Sequence, residues 1–123
     1  MTLAEAISHI DTLKYNTFTR QEKLRWLSDV ESRIRREVVD THEGGPEAPF
    51  VPFTPDTPPD TELTAKPPYD QIYLRHLETQ MDYHSGEIDK YNNSSALLAA
   101  VYGGFCRYYN RTHMPKGQNW KFP

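Results

Sequence analysis

A single cysteine, Cys106, leaves no partner for an intramolecular disulfide and too few thiols for a cysteine-based zinc site. It falls in an apolar helical stretch, where a small buried hydrophobe is the expected role. No apolar run approaches the roughly 18 residues of a membrane span. The opening "MTLAEAISHI" lacks a basic segment followed by an apolar one, so no secretory signal is expected. Without secretion, the glycosylation-like tripeptides at Asn92, Asn93 and Asn110 carry no meaning.

Catalytic signatures are missing too. There is no serine in a strained elbow, no glycine-rich phosphate loop, and no acid pair in an apolar setting that would tune one carboxyl. His76 and His84 lie on roughly one helix face but form no His-Glu-x-x-His pair, and "DTHEGG" matches no metal spacing. His84 reads as a core histidine. The expectation is a protein that is no enzyme, with no catalytic residue, metal or cofactor.

What the chain does contain is helical periodicity with a thin core: 37 % of residues are apolar, the mean hydropathy is −0.79 and the net charge is −3. That charge argues against general nucleic-acid binding. "TLAE" and "TRQE" each place a threonine three residues before a glutamate, the pattern of a capping box. Leu3, Ile7, Ile10 and Leu13 follow the first, and Leu24, Leu27, Val30 or Glu31, Ile34 and Val38 the second, at helical spacing. Glu31 and Arg35 are spaced as an i,i+4 ion pair. Acids interleave with the "RIRRE" cluster, so its charges predict a solvated helix face. "HEGG" supplies a glycine to stop this helix.

Residues 43–68 hold eight of the ten prolines, and from Glu43 to Ala65 there are five acids and no base. Proline fixes φ and removes a backbone donor, so this stretch cannot be helix. Two phenylalanines and a valine in "PFVPFTP" are too apolar for a free linker. They predict a stiff arm docking Phe50, Val51 and Phe53 on its own helices or on a neighbouring chain, with Asp56 and Asp60 as its charged flank.

From Pro68 the apolar stripe Tyr73, Leu77, Met81, His84, Ile88, Tyr91, Ser95, Leu98, Tyr102, Phe105 and Tyr109 keeps gaps of three and four only. It predicts one long helix over 68–113, kinked or broken at Asn92-Asn93 if anywhere. Gly86, Gly103 and Gly104 each cost about 1 kcal/mol inside a helix. Close approach of another backbone at Gly103 and Gly104, and side-chain bonds from Asn92 and Asn93 to a passing chain, would offset that. After Pro115 the tail carries Lys116, Trp120, Lys121 and Phe122, and from Arg107 to Pro123 there are four bases and no acid. Large aromatics on a basic tail look like anchors for a partner, the competing expectation being that they fold back over the chain's own core. An acidic protrusion and a basic tail on one subunit favour head-to-tail contacts, which close into rings.

The stretches "DTEL" and "PPYDQIYLRHLETQMDYHSGEIDKYNNSSALLAAVYGGFCRYYNRTHMP" resemble the head–tail connector, or adaptor, proteins in the neck of tailed phages and prophages of Gram-positive bacteria. The resemblance implies an all-α fold: two N-terminal helices (1–42), the Pro-rich arm (43–67), the long helix (68–113) and an extended tail (114–123). It implies a virion protein assembled in the bacterial cytoplasm, a dodecameric ring of copies of itself under the portal protein. DNA would pass through that ring without sequence-specific binding, and a stopper or tail-completion protein would follow below. By the same analogy Lys116, Trp120, Lys121 and Phe122 would anchor the portal, and Arg33, Arg35 and Arg36 would face neighbours or the channel. The rival expectation is a helical protein-binding or regulatory module of phage or bacterial origin.

Overall fold

Both threonine signals start helices. Thr19 accepts from the Glu22 N–H and Glu22 returns a bond to the Thr19 backbone, so α2 opens with a complete capping box and runs Arg20–Ile34. Thr2 caps α1, Leu3–Leu13, through the Glu5 N–H. The computed structural model describes residues 1–117, and two further helices complete it: α3, Gln71–His84, and α4, Ile88–Thr112. A π-turn, Arg35–Val39, carries α2 one step further before Gly44, at φ +86°, takes the reversal. The described residues are mostly helical and contain no strand, only two isolated bridges.

The expected single rod is two helices. Gly86 adopts φ +72°, a left-handed conformation that ends α3 and turns the chain back within Ser85–Glu87. Asn92 and Asn93 sit undisturbed inside α4. The hairpin is antiparallel: Asp82 near the end of α3 bonds Ser94, while Tyr69 just before α3 packs on Phe105 and Tyr108 near the end of α4. The helix also starts later than Pro68, because residues 68–70 form a turn whose carbonyls already receive the Ile72 and Tyr73 N–H groups. The stripe keeps phase across the turn but loses burial there. His84, expected in the core, is exposed and stacks on Trp26, and Ile88 is 68 % exposed.

Helix α3 is the hub. The other three helices pack on it, and Ile72, Tyr73, Leu77 and Met81 are fully enclosed. Around them lie Leu3, Ala6 and Ile10 of α1, Leu24, Leu27, Val30 and Ile34 of α2, and Tyr102, Phe105 and Tyr109 of α4. No helix among the described residues is long and apolar enough to cross a membrane.

The Pro-rich segment is part of this core. Leu63 and Ala65 are wholly buried. Helix α1 would leave its first N–H groups unpaired. Instead Leu3 and Ala4 donate to the carbonyls of Thr61 and Pro59, and Leu63 donates to Met1. Further along, Glu31, left by its spacing between the apolar stripe and the charged face, is 2 % exposed. Its Oε2 accepts the Thr64 N–H at 2.9 Å and its Oε1 the Tyr73 hydroxyl at 2.8 Å. The same Tyr73 oxygen accepts the Ala65 N–H at 2.8 Å. Burial pushes the Glu31 carboxyl up, and the bonds from Tyr73 and Thr64 oppose that rise. Arg35, its expected partner, bonds Asp40 and the Ala48 carbonyl instead.

Tyr73→Phe leaves the Ala65 N–H and one Glu31 oxygen buried without partners. The expected loss is about 1–3 kcal/mol, read as a lower urea midpoint, with faster proteolysis within residues 56–66. An unchanged midpoint would show that this network does not hold the segment.

Candidate functional site

The candidate contact residues divide between three places. On the Pro-rich segment, Phe53 packs against the chain's own core and its N–H donates to Ser28 Oγ at 2.8 Å. Phe50 meets Phe53 edge-on with centroids 5.4 Å apart. Phe53 therefore lies against its own chain, and Phe50 packs on Phe53. Val51 (73 % exposed), Asp56 and Asp60 face outward. Between this segment and α2 lies an open groove of about 550 Å³ with Leu24, Arg25, Ser28, Asp29, Phe50 and Phe53 in its walls. The helix-face reading of α2 did not reveal it, because it exists only once residues 50–55 run back along the helix. A closer signal was Gln21, Arg25 and Asp29 at i,i+4 spacing beside a segment carrying two phenylalanines.

The second place is the root of the tail. The Glu43 N–H donates to the Met114 carbonyl at 2.7 Å and the Lys116 N–H to the Thr41 carbonyl at 2.8 Å. Buried His42 reinforces this bridge, with Nδ1 2.6 Å from the Val38 carbonyl and Nε2 2.8 Å from Asn110 Oδ1. Tyr109 packs edge-on against His42 and stacks on His113. The Lys116 side chain is exposed. Trp120, Lys121 and Phe122 lie outside the described residues.

The third place is the outer face of α4. Asn92, Asn93, Ala96, Ala99 and Ala100 are exposed and Leu97 is 38 % exposed. Among the described residues no backbone comes close to the glycine pair. A Cβ on Gly103 would meet only the Arg107 guanidinium, at 3.3 Å, and one on Gly104 only Arg107 and the Tyr69 ring, at 3.9 Å. Around this face Arg33 stacks on the Tyr102 ring at 4.1 Å and bonds Glu37, which also accepts from the Tyr102 hydroxyl. The two bonds from Arg33 and Tyr102 hold the Glu37 carboxyl below its usual range. Burial, with Glu37 nearby, pushes the Cys106 thiol up, the opposite of an activated nucleophile.

Elsewhere, buried Asp82 joins Lys14 of the α1 terminus to Ser94 of α4, and Lys23 reaches Asp11 at 2.6 Å. His76 is different. Its Nε2 is buried with no hydrogen-bond partner among the described residues, and burial, with Arg33 nearby, lowers its pKa to about 4. Among the described residues no three His, Cys, Asp or Glu side chains cluster as they would to hold a metal ion. No protein-family model, curated protein or solved structure matches the chain.

Two measurements follow from this geometry. Gly86→Ala forces a side chain into the left-handed region and should cost about 1–2 kcal/mol. Gly103→Ala meets only a flexible guanidinium and should stabilise the free chain by about 0.5–1 kcal/mol; a loss there in chemical denaturation would reveal a packing role within the chain. His76 binds its proton at about 4 when folded and near 6.5 when unfolded. Its contribution is thus complete above pH 6.5 and is lost as the pH falls towards 4. The stability of wild type relative to His76→Gln should fall across that window by up to about 3 kcal/mol, and a flat difference would refute the buried, uncharged imidazole.

Proposed function

We propose that this chain is a structural subunit of a tailed-phage neck. It would be a head–tail connector that assembles with copies of itself, as a dodecameric ring, beneath the portal protein. The ring would join capsid to tail, extend the DNA channel without reading its sequence, and pass to a stopper or tail-completion protein below. No chemistry is asked of it. The observation that carries this reading is the fastened root of the tail. Met114–Lys116 is bonded to Thr41–Glu43, so a basic, aromatic segment leaves a rigid helical body at a defined point. A segment presented in that way loses less entropy on docking than one leaving a frayed helix.

Two further features support it. Tyr15, Val51, Tyr83, Ile88 and Met114 are each more than 60 % exposed, a surface suited to burial against other subunits. The outward residues of the Pro-rich segment, Val51, Asp56 and Asp60, form its acidic side, opposite in sign to the tail. Lys116, Trp120, Lys121 and Phe122 are the portal anchor in this reading. The exposed Asn92 and Asn93, with the nearby Gly103 and Gly104, offer a low, polar helix surface for the adjoining subunit. Arg33 and Arg36 remain solvent-facing, whereas Arg35 is mostly covered by its own chain.

The test is reconstitution with a tailed-phage portal protein, scored by electron microscopy. Full-length protein should form a ring on the portal, and protein ending at Pro115 should not. A truncated chain that still mounts on the portal would remove the anchor role. Full-length protein that binds no portal, yet captures one partner as a monomer or dimer, would favour a regulatory binding module.

A further inference from the structure

Helix α4 rests on α3 and on the π-turn, which leaves its outer side exposed. Charge is ordered along that side. Asp89 stands near its beginning, and Arg107 and Arg111 stand near its end. All three are exposed, and none forms an ion pair among the described residues. Between them Asn93, Ala96, Ala100 and Gly104 continue with gaps of three and four residues, so acid, small residues and bases share one helix face. We infer that two copies of this chain pair through this face, antiparallel, about a two-fold axis at Ala100.

The spacing commits the face to its own copy. Asp89 and Arg111 each stand eleven residues from Ala100, about 16 Å along the axis. Turning a second α4 end for end about Ala100 therefore sets Asp89 against the partner's Arg111, twice by symmetry. Asn93 and Arg107 are each seven residues from Ala100, so the same operation brings an amide oxygen to a guanidinium. Ala96 and Gly104 are each four residues away and meet at the crossing. Small residues there let the two helix axes approach to about 8 Å. That approach offsets the cost of glycine inside a helix, which no backbone among the described residues does for Gly103 and Gly104.

Other occupants fit the charge order less well. A nucleic-acid backbone would use the arginines but be repelled by Asp89, on a chain whose net charge is −3. A parallel pair would set acid on acid and base on base. The antiparallel contact is isologous and closes at two subunits. In the connector reading this face turns to the adjoining subunit of the ring. The pair is then the form of the free chain, exchanged for the ring contact on the portal. Its own contacts need no portal.

The test reverses the charges one at a time in the full chain. In sedimentation equilibrium at low salt, up to millimolar protein, wild type should pass from monomer to dimer and no further. Asp89→Arg alone and Arg111→Glu alone each make two attractive contacts repulsive, and each should weaken the dimer at least about tenfold. Their equimolar mixture restores both contacts across a heterodimer and should dimerise as wild type does. In a Cys106→Ser background, Ala100→Cys should form an intermolecular disulfide under mild oxidation. Lys90→Cys, exposed on the same helix but off the stripe, should not. Circular dichroism and the urea midpoint, matched to wild type, establish that the variants are folded. A wild type that stays monomeric or grows beyond two copies would overturn the assignment. So would a single variant that dimerises like wild type, a mixture no tighter than its components, or equal cross-linking at both cysteine positions. Portal capture separates the two readings. Capture without the dimer leaves the connector and removes the pair, and the dimer without capture does the reverse.

Discussion

A buried carboxylate held by a hydroxyl and a backbone N–H, and by no ion pair among the described residues, lies at the centre of this molecule, and the course of the chain depends on it. Glu31 comes from α2, Tyr73 from α3, and Thr64 and Ala65 from the segment between them. Three hydrogen bonds knot these elements, the two through the Tyr73 hydroxyl buried and the one from Thr64 half-buried. A buried charge held this way is costly to form, and its pairing adds little beyond a well-packed apolar replacement. Its value is positional. It fixes where the extended segment ends and therefore where α3 begins, and α3 is the surface on which α1, α2 and α4 all pack.

The proline content acquires a different meaning from this. Proline lacks a donor but keeps its carbonyl. Pro59 gives that carbonyl to Ala4 of α1, and Pro58 gives its own to Thr61. A segment rich in acceptors and poor in donors can lie across a helix N-terminus, where donors are in surplus, and leave few of its own groups unmatched. The acids along it, Asp56, Asp60 and Glu62, remain at the surface, with Glu62 near Lys66 and the amino terminus.

Local signals were legible in the sequence and long-range ones were not. The two threonine–glutamate pairs marked the starts of α1 and α2, and the α2 stripe named its buried side, because capping and periodicity act within a few residues. The helix-only expectation also holds. The 68–113 stripe misled because the turn at Ser85–Glu87 preserves its phase. Gly86 counted as a helix cost when its left-handed φ makes it the turn itself. Glu31 was left between the apolar stripe and the charged face because nothing nearby in sequence announces Thr64 or Tyr73. Of the site, the sequence drew attention to Phe50 and Phe53, but the groove they create with α2 depends on a chain reversal that composition does not encode. The glycine pair was expected against a backbone, and within the chain it faces Arg107 and Tyr69.

The bridge at the root of the tail has a mechanical side. Tension applied at the C-terminal end is taken first by two backbone bonds, Lys116 to Thr41 and Met114 to Glu43. From there part of the load enters the π-turn and the buried His42, while the rest follows the backbone into the last turn of α4, which His42 also holds through Asn110. A pull on this subunit is thus shared with the end of α2, the helix that also carries Glu31, and does not fall on the free end of the hairpin alone.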